Sequence, residues 1–164
     1  MILFARGAVD EDLSSADLEE SLSTVFARLG ARRRVLLIPP DITRLHSRAG
    51  EMACCAWRHY GGRVKAVLPA LGTHSPMTPA QIARMFPGIP PELFRVHDWR
   101  RDVVTLGRAP AEFVRGISGG AVDYDWPAQV NRLLAEGGFD LILSLGQVVP
   151  HEVAGMAGHS KNIF

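Results

Sequence analysis

Apolar residues recur along this chain at two spacings, one that suits helices and one that suits buried strands. Behind an acidic start, residues 10–30 place Leu18, Leu22, Val25, Phe26 and Leu29 at helical spacing, with Ser14 or Ser15 as the cap and Gly30 as the stop. Val35-Leu36-Leu37-Ile38 is a continuous apolar run closed by Pro39-Pro40, which predicts a parallel strand covered on both faces. A helix over 47–60 follows, ended by Gly61-Gly62, and Val64 to Leu68 is the next strand. Thr78-Pro79-Ala80-Gln81 opens a helix with its cap and with proline at the first helical position, running to Met85 or Phe86. Phe94-Arg95-Val96-His97 is a further candidate strand. Residues 99–124 are less regular, with Val103 to Leu106 and Glu112 to Arg115 as short strands of a hairpin or flap. Asp125-Trp126-Pro127 predicts the start of a helix through Leu134 or Ala135, ended by Gly137-Gly138, and residues 140–145 form the last buried strand. Strands that alternate with helices in this way predict a doubly wound α/β domain with a mostly parallel, Rossmann-like sheet.

Composition narrows the setting. The chain has 164 residues, enough for one domain with a real core, and 18 Lys plus Arg against 17 Asp plus Glu leave a formal charge of +1. No global field draws it toward nucleic acid or an anionic membrane. No stretch approaches the ~20 apolar residues of a membrane span, and the N-terminus lacks the apolar core of a signal peptide. Cys54 and Cys55 are neighbours in a helical run, where a mutual disulfide is strained, so they read as free thiols. Together these features predict a cytoplasmic protein.

Three polar motifs interrupt the apolar pattern, each after a predicted strand. That is the edge where an open α/β sheet keeps its chemistry. In Asp41-Ile42-Thr43-Arg44, the arginine fork suits a carboxylate or phosphate, and Asp41 is placed to orient that arginine or a histidine. Taken alone, the motif reads more simply as a helix cap beside a solvent-facing Arg44. Gly72-Thr73-His74 brings an imidazole able to take and give a proton near neutral pH, with a plain turn as the even alternative. Pro150-His151 is followed by Gly155, Gly158 and Lys161. The glycines permit close backbone approach, and a lysine in a pocket can serve as nucleophile or attachment point. The other reading of that stretch is a helix start with a glycine-rich tail. His46, His59 and His97 have no motif around them and read as surface or structural residues. His74, His151 and His159 match no helical zinc spacing, and neither a G-x-G-x-x-G fingerprint nor a Walker lysine loop is present.

Taken together, and in this order, the three motifs resemble the N-terminal domain of the nickel-dependent lactate racemase family, from about Val35 to Lys161. The resemblance implies a nickel-pincer nucleotide, a pyridinium mononucleotide whose sulfur-containing arms hold nickel, anchored covalently on Lys161. It implies His74 and His151 as the paired acid/base residues, and Arg44 with Asp41 at the substrate carboxylate. Gly72, Thr73, Gly155 and Gly158 then belong to the cofactor cradle. The implied reaction is racemisation or epimerisation of a small-molecule 2-hydroxy acid by hydride transfer to the cofactor. The partners implied are the cofactor-biosynthesis proteins. Residues 1–164 correspond to the family's N-terminal domain, with its C-terminal domain, and the nickel-ligating histidine beyond the anchoring lysine, outside this chain. On that comparison the 164-residue piece alone is expected to be inactive. One departure stands out: Ala157-Gly158-His159 occupies the place of the family's Ser-Gly-Gly. Two alternatives stay open, a relative acting on a larger hydroxy or sugar acid and a non-catalytic α/β anion-binding module.

Overall fold

The structure is a computed structural model that describes residues 1–152 and 155–163. Its first helix, α1 (Ser15–Leu29), is capped by Ser14, whose hydroxyl accepts from the Asp17 N–H while the Asp17 carboxylate accepts from the Ser14 N–H. Strand β1 (Val35–Ile38) follows, then a 3-10 segment (Ile42–Ser47) interrupted at Arg44, and α2 (Ala49–Tyr60). The expected helix over 47–60 therefore starts two residues late, because Arg48 adopts left-handed backbone (φ 60°) between the two helical segments. Strand β2 (Val64–Val67) and α3 (Pro79–Met85) come next, with Thr78 and Gln81 forming the cap predicted for α3.

The central sheet is parallel, in the order β2, β1, then β5 (Leu141–Ser144). Pleating sends successive residues of β1 to opposite faces. Val35 and Leu37 join a core with Phe26, Ala53, Tyr60 and Phe86 from the α1, α2 and α3 side. Leu36 and Ile38 pack with Ala66 and Leu68 against Leu133, Leu134 and Phe139 on the other. All four β1 residues are buried, as a strand covered on both faces requires. The fold is thus the expected mixed α/β domain with helices on both faces of a parallel sheet. Among the described residues, no helix is long and apolar enough to cross a membrane. Cys54 and Cys55 are buried free thiols.

The region between β2 and β5 departs from the sequence reading. At 94–97 there is a single parallel bridge, Val67 to Phe94, rather than a strand. The Phe94 N–H closes a turn onto the Pro91 carbonyl, leaving the Arg95 N–H to reach Val67. Strand β3 (Val103–Ala109) forms as expected, but residues 112–115 lie in helix α4 (Ala111–Ile117). The predicted helix at 125–135 is mostly strand β4 (Trp126–Asn131), antiparallel to β3, followed by the short α5 (Arg132–Glu136). Asp125 does cap a helix, although not its own: its Oδ1 accepts from the Ala111 N–H at the start of α4. The helix signal at Asp125-Trp126-Pro127 loses to a partner strand that local sequence does not reveal.

The phenol of Tyr60 sits at 1% exposure in the α1–α2 core, and its hydroxyl has no hydrogen-bond partner among the described residues. An unpaired buried hydroxyl costs about 1–3 kcal/mol. Tyr60→Phe removes that cost and keeps the edge-on packing against Phe26. The variant should be more stable than the parent by about 1 kcal/mol in urea unfolding, and a clear loss of stability would show that the hydroxyl has a partner.

Candidate functional site

The parallel pairing runs on beyond the strands, and this builds the site. The Leu68 N–H donates to Leu37 and the Ala70 N–H to Pro39, both at 2.8 Å, and Pro40 bridges Ala70. On the other side of β1 the Leu145 N–H donates to Ile38 at 3.0 Å. The loops after β1, β2 and β5 therefore leave the sheet side by side at its carboxyl edge. They enclose a cavity of about 490 Å³ lined by Asp41, Arg44, Gly72, Thr73, His74, His151, Gly158 and Lys161. That volume falls in the range of about 300–1,000 Å³ usual for small-molecule sites.

Asp41 is the fixed point of this edge. It is buried at 4% exposure, and it caps the 3-10 segment by accepting from the Thr43 N–H at 3.0 Å and from the Thr43 hydroxyl. Its second oxygen, Oδ2, lies 2.6 Å from Nδ1 of His74. Burial acts to raise the Asp41 carboxyl, but the hydrogen bonds from Thr43 and His74 outweigh it and hold the group below its ordinary value. An ionised carboxylate only accepts, so Nδ1 of His74 carries the proton, and Nε2 is the acceptor of the neutral ring. The turn that presents His74 is closed by its own N–H donating to the Leu71 carbonyl at 2.9 Å, with Gly72 at φ 56°, where a side chain is strained. The sequence reading left two orientations for Asp41, toward the arginine or toward a histidine. The geometry selects the histidine.

The third motif forms a short antiparallel pair, Pro150–His151 with Gly155–Met156, and then a 3-10 turn, His159–Asn162, that carries Lys161. His151 is largely covered, with Nδ1 at 3.8 Å from the Glu152 carboxylate. Glu152 is held below its ordinary value first by its own backbone N–H, then by the neighbouring His151, and more weakly by Arg44 and Lys161. Gly158 approaches the β5 loop so closely that a Cβ there would overlap the Gln147 carbonyl oxygen. Gly155 is not part of the main cavity; it borders a shallow depression with Met156, His159 and Lys161.

Eight of the nine residues singled out from the sequence thus line one cavity. Four further polar side chains that line it carried no sequence signal of their own: Ser47, Gln147, Glu152 and Asn162. Only their nearness to a motif residue marks them. His59 packs against Phe26 and Tyr60, and His97 pairs with Asn131, in line with structural roles. Among the described residues, no group of three or more His, Cys, Asp or Glu side chains is placed to hold a metal ion.

No protein-family model matches the chain, and no match was found among curated proteins. Among solved structures, a protein from Thermotoga maritima is similar over 92% of this chain, with 27% sequence identity and a TM-score of 0.74. The chain spans 37% of the length of that protein.

Proposed function

We propose that this domain is the cofactor-anchoring and acid/base half of a 2-hydroxy acid racemase or epimerase of the nickel-pincer type. The observation that carries the reading is the convergence of the three motifs on one cavity, with His74 braced by a buried carboxylate. His159 adds support. Its backbone lies in the left-handed region (φ 52°), which favours glycine, and glycine is what the resembled family has at that position.

The residues fit the organic part of the cofactor. Lys161 stands at the cavity wall as the attachment point, Gly72 leaves open space beside it, and Gly158 lets the lysine loop pack directly on the Gln147 carbonyl. The nickel ligand in this reading is the histidine that the family places beyond the lysine. When bound, the cofactor supplies the carbon acceptor for a hydride, which no side chain provides. The chain's own residues do the rest. Arg44 receives the substrate carboxylate on its planar fork. His74, with Nδ1–H fixed on Asp41, offers Nε2 to the substrate hydroxyl proton. A carbon that inverts must be served from both faces, and His151 is the second imidazole at the cavity.

Intact mass and peptide mapping test the anchor. Protein from cells that load a known family member should carry added mass on the peptide containing Lys161. An unmodified Lys161 under those conditions overturns the reading. Arg44→Ala in the loaded, full-length protein should raise KM for the 2-hydroxy acid by about tenfold to a hundredfold, the worth of a charge-assisted hydrogen bond. An unchanged KM would remove Arg44 from the carboxylate site.

A further inference from the structure

A second, smaller cavity of about 90 Å³ adjoins the main one, and Ala70, Gly72, Lys161 and Asn162 line both. Its remaining wall is mostly apolar, including Ile38, Leu68, Leu134 and Ile163, with His97 and Asn131 as the polar exceptions. These two arrive from the region between α3 and β5, which the proposed chemistry does not otherwise use.

The hydrogen bonds define which atom His97 offers. Oδ1 of Asn131 accepts from the Leu133 N–H at 2.9 Å, where Asn131 caps α5. The amide nitrogen is therefore the atom 2.8 Å from Nδ1 of His97. An NH2 group only donates, so Nδ1 of His97 accepts and Nε2 carries the proton. The small cavity thus joins an apolar lining to a few donor-bearing residues, His97 held by the buried Asn131 together with Lys161 and Asn162.

We infer that this side cavity takes the distal chain of the substrate, so that the preferred 2-hydroxy acid is longer than lactate and bears a hydroxyl or carbonyl oxygen near its end. The inference rests on the function proposed above. The size fits about three non-hydrogen atoms beyond carbon 3, counting about 30 Å³ for each water-sized group. Specificity follows from pairing: a tail ending in a methyl offers these donors no acceptor, whereas a tail ending in oxygen does.

The test is an equilibrium titration of the purified protein with three racemic acids: lactate, 2-hydroxyhexanoate and 2,5-dihydroxypentanoate. The last two have chains of equal length and differ at the end by methyl against hydroxyl. The dihydroxy acid should bind at least about tenfold more tightly than either of the others. His97→Phe should abolish its advantage over 2-hydroxyhexanoate. Leu134→Phe, which fills the cavity without touching the polar pair, should remove the advantage of both long acids over lactate. Equal affinity for the two long acids in the parent protein overturns the inference and leaves the carboxylate site standing. Absence of binding by all three acids overturns both, beginning with the main cavity.

Discussion

In the proposed racemase or epimerase, loaded and full-length, Asp41→Asn is expected to lower kcat by about 10²–10⁴-fold, the usual contribution of a positioned acid/base group. The carboxylate accepts from Nδ1 of His74 and so directs Nε2 toward the cavity. An asparagine at 41 has an NH2 to present to the same nitrogen. With Thr43 still donating from its N–H and hydroxyl, the amide oxygen stays on Thr43 and the NH2 faces the imidazole. The ring then accepts at Nδ1 and carries its proton on Nε2, which is the wrong tautomer for a base. The proposed carboxylate contact of Arg44 is untouched, so KM should change by less than about threefold while kcat collapses. A matching rise in KM, with kcat preserved, would mean that Asp41 shapes the binding site instead.

The same carboxylate gives the fold a pH dependence of definite sign. The folded-state value of Asp41 lies below its ordinary 3.8, because the hydrogen bonds outweigh burial. Its contribution is therefore complete above the ordinary value and is lost as pH falls through the lower, folded value. Urea unfolding between pH 6 and 3 should show the parent losing stability at the acid end. Asp41→Asn should start less stable and lose less over that window, since it has no carboxylate at 41 to protonate.

Much of this arrangement was legible in the sequence because it is local. Val35 to Ile38 announces a buried strand by composition alone, Ser14 and Thr78 announce their helices by cap chemistry, and the three motifs lie where parallel strands end. What was not legible is non-local. The bridge between Pro40 and Ala70 brings Asp41 to His74 across 33 residues, and no spacing rule encodes that register. The ladder between β3 and β4 overrode a good helix signal at Asp125 for the same reason, and the cap went to α4 instead. His97, which the sequence leaves as a surface or satisfied structural histidine, is hydrogen-bonded to Asn131, a residue inside a segment expected to be helix. Its place beside a cavity emerged only with the strand.

Gly50→Ala tests how firmly the site rests on the packing beneath it. Gly50 is buried in the first turn of α2, and a Cβ there would overlap the Met85 carbonyl oxygen at the end of α3. The obstacle is backbone, which cannot swing aside as a side chain can, so α2 and α3 must separate. Overpacking of this kind costs about 1–3 kcal/mol, or roughly 2–12 °C in Tm for a domain of this size. Alanine returns up to about 1 kcal/mol through its better helix propensity, so the lower part of that range is expected. Gly62→Ala is the matched control, since nothing lies within 4 Å of a Cβ at that position and its φ is not positive. The consequence reaches the cavity because the 3-10 segment bearing Arg44 joins α2 directly through Arg48, and α3 packs against that segment as well as meeting α2 at Gly50. A shift of α2 moves Arg44 and Ser47 relative to the loop that holds His74. Gly50→Ala should therefore weaken binding of the proposed 2-hydroxy acid substrate as well as lower Tm, whereas Gly62→Ala should do neither. A fall in Tm with full affinity would show that the turn from Asp41 to Ser47 is held by the sheet edge alone.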